Sequence, residues 1–243
     1  MAYITWSFDA GAATARDDVA EAVRAVLKTG TLHAWASAAP NREAFRGRAT
    51  AFGVELGPVR AVVRHAHRGG YVIPPILGDR FFGRSRFVRE LEISERLREA
   101  GVRTPAFLAG VRYDHGPFHR ADVATERVDG TDLFTLLFGP VPLSGEVRET
   151  LLRAVARAVR HLHDAGWVHL DLQLRNVLVS GPRSPSPEPW FLDVDTCRPA
   201  RGEGDRRANL RRFFRSWAKW NARHGARLGP DDVAIFNAAY LAA

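Results

Sequence analysis

Along residues 17 to 28, DDVAEAVRAVLK, apolar side chains return every three or four positions behind two aspartates, and Gly30 follows. That period predicts an amphipathic helix with acids in its first turn and a glycine stop. The pattern changes between 43 and 64, where EAFRGRATAFGVELGPVRAVVR reads as strand, turn, strand. Gly47 sits near one turn, Gly57-Pro58 marks the next, and the last run, Val59 to Arg64, is a strand ending on a cation. Residues 86 to 100, RFVRELEISERLREA, return to helical spacing through Phe87, Leu91, Ser94 and Leu97-Arg98, with Gly101 as the stop. Strand-like stretches follow near 106–112 and 119–128, and 129–165 is mostly helical, most clearly in LLRAVARAVRHLHDAG. A strand at Val177–Val179, the polar turn SGPRSPSPEP and a strand at Trp190-Phe191-Leu192 come next, then helices over 206–223 and about 230–242. No internal repeat interrupts this order. A strand-rich half with one long helix precedes a helix-rich half carrying an acid-bearing hairpin, which predicts an α+β bilobal layout with a cleft where the halves meet. The expectation is one domain over residues 1–243, with an N-lobe of about 1–128 and a C-lobe of about 129–243.

Length and composition suit this picture. A chain of 243 residues, 46% apolar, is able to bury a substantial core. A single cysteine, Cys197, excludes an internal disulfide framework and a cysteine-built zinc cage, which points to a reducing compartment. The opening MAYITWSFDAGAATARDD lacks a basic start followed by a long apolar run, and no apolar run approaches 20 residues, so a cytoplasmic protein is expected. The formal charge of +8 is carried almost wholly by arginine, since Lys28 and Lys219 are the only lysines. Such a surface favours anionic partners. No zinc-finger, RNA-binding or basic-zipper pattern accompanies it, so nucleic acid is not expected.

The chemistry concentrates in WVHLDLQLRNVLV, residues 167–179. An aspartate opening a short loop is able to accept a proton from an attacking hydroxyl. An amide five residues later is able to turn back onto a metal ion, and an acid beyond the next strand to hold the same ion against phosphates. Asp171, Asn176 and Asp193 occupy those places, in the phosphoryl-transfer arrangement of kinases. A His-Leu-Asp alone serves equally well as a helix-terminating turn with Asp171 as a cap. Capping accounts for neither Asn176 nor Asp193.

Six segments carry a family resemblance: GRATAF at 47–52, VVRHAHRGG at 62–70, FVRELEISERLREAGVRTP at 87–105, HRADVATERVDG at 119–130, HLHDAGWVHLDLQLRNVLV at 161–179 and FLDVD at 191–195. Over roughly residues 45–220 the chain resembles the lipopolysaccharide kinases, specifically the 3-deoxy-D-manno-octulosonic acid (Kdo) kinases, which are related to the protein-kinase fold. The Arg-Gly-Gly after the third strand, the ATERVDG connector and the Asp-Val-Asp point to that family. The resemblance implies a bilobal protein-kinase-like fold and an ATP-dependent kinase using Mg2+ or Mn2+. Its acceptor would be a sugar hydroxyl, most specifically Kdo on a lipid A-linked precursor, met at the cytoplasmic face of the inner membrane. By the same resemblance Asp171 is the catalytic base, Asn176 and Asp193 are metal ligands, and Gly47-Arg48 covers the phosphates. Arg64 is the strand-three cation with Glu90 as its helix partner, Glu126 to Val128 form the connector that meets adenine, and His169 supports the loop without transferring a proton.

Two departures bear on that assignment. The strand-three cation is usually lysine; here the strand ends in Arg64, with Arg68 as a competitor, and the glycine hairpin has only Gly47 and Gly53 in reach. The glycine usual after the metal aspartate is missing, with Asp195 two positions on, and roughly fifteen residues lead to the next helix. That short segment favours a small or lipid-linked acceptor over a protein. Two alternatives stay open: an antibiotic or other small-molecule phosphotransferase, which shares the loop motif, and a nucleotide-binding pseudokinase without turnover. On the surface, arginines flank an apolar tip at Tyr71–Leu77 that is suited either to a membrane or to folding back on the lobe. The stripe Leu210, Phe213-Phe214 and Trp217 is suited either to a bilayer or to packing within the protein.

Overall fold

A computed structural model describes residues 2–45, 50–66, 79–83, 85–225 and 227–243. The chain divides into two compact units, Met1–Glu95 with Ala106–Arg127, and Arg96–Pro105 with Val128–Ala243. Gly47, Arg48, Arg68 and the tip at Tyr71–Leu77 lie outside the described residues.

The first unit is built on a seven-stranded sheet of antiparallel pairs among the described residues. In chain order its strands are β1 (Tyr3–Phe8), β2 (Gly11–Arg16), β3 (Glu43–Phe45), β4 (Ala51–Leu56), β5 (Val59–His65), β6 (Phe107–His115) and β7 (Phe118–Glu126). They lie side by side as β1-β2-β6-β7-β5-β4-β3. The hydrophobic pattern assigns no element ahead of residue 17, yet residues 3–16 form a hairpin along the sheet edge. Its strands carry little periodic signal because β1 is half exposed and the buried apolar positions of β2 are the small Ala13 and Ala15, beside a buried Arg16. Helices α1 (Asp17–Leu27) and α2 (Leu32–Ala38) contribute Val19, Val23, Leu32 and Ala36 to a core with Ala61, Val63, Ala109 and Val111. A second cluster joins Phe87 of α3 (Arg86–Glu99) to Phe81, Phe107 and Val123. Two clusters explain why β6 reads as a continuous apolar run, FLAGV, rather than an alternating one. Gly110 decides how closely α3 approaches: a Cβ there would lie 2.3 Å from the Phe87 ring. Without that gap the helix carrying Glu90 would be pushed off the sheet.

Helix α2 is too short to be legible as a period and is held from outside. Thr31 caps it by accepting from the Ala34 amide at 3.2 Å. Asp122 of β7 accepts from the His33 amide at 2.8 Å and from the Tyr113 hydroxyl at 3.0 Å. The other oxygen of Asp122 lies 2.6 Å from His65 Nδ1, and Asp79 lies 3.3 Å from Nε2. The Asp122 hydrogen bond, followed by its charge and that of Asp79, raises the His65 pKa against the opposing effect of burial.

The second unit is mainly helical: α4 (Leu133–Phe138), α5 (Gly145–Asp164), α6 (Glu203–His224) and α7 (Pro230–Leu241). Short strands β8 (Thr131–Asp132), β9 (Trp167–His169), β10 (Val177–Ser180), β11 (Glu188–Phe191) and β12 (Cys197–Pro199) pair as β11-β10-β8 and β12-β9. Gly101 stops α3 as expected, at φ 77°, while the Val102 amide returns to the Leu97 carbonyl at 2.9 Å. The apolar stripe of α6 is spent inside this unit: Phe213 is fully buried and stacks on Phe236 of α7 at 5.1 Å, and Trp217 is buried beside it. Of the two uses that the stripe allows, packing is the one observed. α6 starts at Glu203 rather than 206, so only residues 194–202 separate it from Asp193. No described helix is long and apolar enough to cross a membrane.

Candidate functional site

The loop after β9 is organised by His169, whose side chain is fully buried. Its Nδ1 accepts from the Asp171 amide at 3.1 Å, so the proton sits on Nε2, which donates to the Leu192 carbonyl at 2.8 Å. One imidazole therefore ties the start of the loop to the residue before Asp193. Asn176 closes the loop from its other end, in the short 3-10 turn Leu174–Asn176. Its Nδ2 donates to the Asp171 carbonyl at 2.9 Å and lies 3.2 Å from Asp171 Oδ2. Its own carbonyl accepts from the Leu192 amide at 2.9 Å, and Val177 pairs with Phe191 in the hairpin. Asp171, Asn176 and Asp193 are thus brought together by main-chain pairing and one buried ring.

Asp193 has φ 54° and ψ 44°, the one positive φ of a non-glycine residue among those described. Aspartate tolerates this left-handed geometry better than most residues, at a cost of about 1–2 kcal/mol. Asp193 is exposed in this turn, between a partly buried Leu192 and a buried Val194. Asp195 lies in the next short turn, Val194–Thr196.

The donor set suits a hard cation. With Nδ2 of Asn176 committed to Asp171, its amide oxygen and the Asp193 carboxylate are the oxygens left to bind an ion. No group of three His, Cys, Asp or Glu side chains able to hold a metal occurs among the described residues.

Behind the loop stands a residue that the sequence motifs do not single out. Asn209 of α6 is buried, accepts from the His169 amide at 3.2 Å and donates to the His169 carbonyl at 2.5 Å. The same Oδ1 lies 3.0 Å from His163 Nε2, and Tyr240 reaches His163 Nδ1 at 2.7 Å. The signal was present, as the single polar member of the period-four stripe Asn209, Phe213, Trp217. What it binds was not. The helix follows the loop further: Ser216 accepts from the Leu174 amide at 3.3 Å, and the Arg175 guanidinium lies over the Trp220 and Phe134 rings at 4.9 and 4.4 Å.

Burial is the main cause that pushes both His163 and His169 below the ordinary histidine range, while His65 is raised. The signs are opposite. For His163 and His169 the unfolded chain binds protons first, so stability is full above about pH 6.5 and lost as pH falls. For His65 stability is full below about pH 6.5 and lost as pH rises through its folded value. Removing His65 with His65→Gln is therefore expected to weaken the gain in melting temperature as pH is lowered from about 8 to 6.5. Thermal melts of both proteins across that interval check it, and parallel curves would contradict the assignment.

In the strand-rich unit, Arg64 of β5 places Nη2 2.6 Å from both carboxylate oxygens of Glu90, which is itself buried. Glu126 ends β7, where its main-chain amide bonds to the Ala106 carbonyl at 2.8 Å; Val128 opens the second segment of the other unit. A cavity of about 710 Å³ in the strand-rich unit is bordered by Trp35, Gly53, Arg60 and Arg127 and by neither Arg64 nor Glu90.

A family model for the lipopolysaccharide kinase (Kdo/WaaP) family matches residues 33–240. The chain is 28% identical over 195 residues to a 3-deoxy-D-manno-octulosonic acid kinase of Vibrio cholerae, covering 79% of each chain. It is 31% identical over 178 residues to the protein of that name from Vibrio vulnificus strain YJ016, covering 71% of each. A third, from Actinobacillus succinogenes, is 33% identical over 185 residues and 74% of each chain. With a family match spanning most of its length and the kinase-type loop described above, the chain is a phosphotransferase that belongs to the lipopolysaccharide kinase (Kdo/WaaP) family.

Proposed function

We propose that residues 1–243 act as one kinase-like domain that transfers the γ-phosphoryl group of ATP to a hydroxyl of Kdo on a lipid A-linked precursor, at the cytoplasmic face of the inner membrane. The observation that carries the reading is the loop in which His169 and Asn176 hold Asp171 beside the turn of Asp193. Asp171 is the group that accepts the hydroxyl proton and orients the attacking oxygen. Asn176 and Asp193 would hold Mg2+ or Mn2+, which when bound neutralises phosphate charge during transfer. Arg64, kept in place by Glu90, is assigned to the ATP phosphates, where a guanidinium clamps oxygen pairs as lysine cannot. The backbone from Glu126 to Val128 is assigned to adenine, and Gly47-Arg48 to covering the phosphates. The short run 194–202 supports a small or lipid-linked acceptor, since it offers little chain on which a protein substrate would dock.

The test is transfer of radiolabelled phosphate from ATP to Kdo–lipid A. A wild-type protein no faster than Asp171→Ala would overturn the reading. The Arg64 assignment has its own measurement. Arg64→Ala is expected to lower kcat/KM for ATP about 10–100-fold, the value of one or two charge-assisted hydrogen bonds. Arg64→Lys is expected to recover part of the loss, because it restores the charge opposite Glu90 but not the fork. Initial rates against ATP concentration decide it, and an Arg64→Ala protein with an unchanged kcat/KM would remove Arg64 from the site.

A further inference from the structure

One cation of α6 reaches the reactive carboxylate itself. The Arg212 guanidinium lies 3.6 Å from Asp171 Oδ1, between the turn of α6 that holds His169 through Asn209 and the turn that holds Leu174 through Ser216. The distance is beyond hydrogen-bond range, and both side chains are close to half exposed, at 48% and 42%. A surface pair of that kind adds little to stability. It contrasts with Arg198, which grips Asp205 through two nitrogens at 2.7 and 2.8 Å in the same unit. Arg175 is occupied by two aromatic rings. Among the α6 arginines, Arg212 is the one whose ion pair reaches the loop within the described residues.

Two facts about the reaction give this cation a task. The acceptor named for the relatives is an octulosonic acid, so it carries a carboxylate on the same small molecule as its hydroxyls. That anion must approach a second anion, Asp171. A half-exposed guanidinium beside Asp171, with its fork of N–H donors unspent, answers both requirements: it offsets the repulsion and presents the geometry that matches a carboxylate.

Resting on the function proposed above, we infer that Arg212 binds the carboxylate of the sugar-acid acceptor and makes the enzyme selective for acidic over neutral sugars. Arg212 is then a specificity-determining residue, and the proton transfer stays with Asp171.

The experiment measures phosphate transfer to the Kdo-bearing lipid A precursor and to its carboxyl methyl ester, by wild type, Arg212→Gln and Arg212→Lys. Arg212→Gln is expected to raise KM for the acid acceptor about 10–100-fold while leaving KM for ATP unchanged. The ester should be a poor substrate to a similar degree for wild type and Arg212→Gln, because the partner of the guanidinium is already gone. Arg212→Lys should recover part of the affinity for the acid. An Arg212→Gln protein with an unchanged acceptor KM, or one that loses equally on acid and ester, overturns the role of Arg212 alone. A wild type that transfers phosphate to neither acceptor overturns the functional reading and this inference with it.

Discussion

Asp171→Asn is expected to fold as the wild type does and to lower kcat for phosphate transfer by about 10²–10⁴-fold, the range for loss of a positioned general base. The substitution preserves size, and the side chain is half exposed, so stability should move by no more than about 0.5 kcal/mol. What changes is the chemistry of one atom. Asp171 Oδ2 accepts from Gln173 Nε2 at 3.0 Å and faces Asn176 Nδ2 at 3.2 Å. An amide that keeps its oxygen toward these donors turns its NH2 to the position of Oδ1, where a proton must be taken up. KM for ATP should be nearly unchanged, because the nucleotide contacts proposed above lie on other residues. Single-turnover transfer with melting curves on the same preparations measures both halves. A variant within tenfold of wild type would show that Asp171 is not the proton acceptor.

The largest effect on stability is expected at Asn209. Asn209→Ala leaves the His169 amide and His163 Nε2 without their partner in a buried place, and takes from the His169 carbonyl one of two donors, the Leu172 amide at 3.0 Å being the other. Each unsatisfied group costs about 1–3 kcal/mol. Local relaxation reduces the sum, and a loss of about 3–5 kcal/mol is expected. For a chain of this size that lowers the melting temperature by roughly 10 °C. Activity should fall as well at temperatures where the variant is folded, since His169 is the joint between Asp171 and Leu192. Asn209→Asp is expected not to rescue it. The shape is kept, but the donor 2.5 Å from the His169 carbonyl becomes an oxygen facing an oxygen. Circular dichroism melts and transfer rates for the three proteins check the assignment; an Asn209→Ala protein as stable as wild type would refute it.

Much of the fold was legible because its causes are local. The helix at 86–100 announces itself by a 3.6-residue period and a glycine stop, and the structure ends it on a left-handed Gly101. The helix of 206–223 was legible too, although its start moved to Glu203. The candidate loop was readable since Asp171 and Asn176 are five residues apart and contact each other directly. The hairpin of residues 3–16 was not, because its strands are an exposed edge and a run of small residues, and small residues carry no hydrophobic period. Helix α2 was missed because its anchors, Tyr113 and Asp122, lie some 80 to 90 residues further along.

By itself the sequence determined the helices near 17–28, 86–100, 206–223 and 230–242, the arginine-dominated charge, and the loop that carries an acid, an amide and a second acid at kinase spacing. These depend on near neighbours, and near neighbours are written side by side. Only the tertiary structure decided that Asn209 holds His169 from 40 residues away, that Arg212 stands beside Asp171, and that the aromatic stripe of α6 is buried against α7. The reason is physical: a side chain's hydrogen bonds and charges act over a few ångströms of space, and folding, not spacing along the chain, chooses which residues come that close.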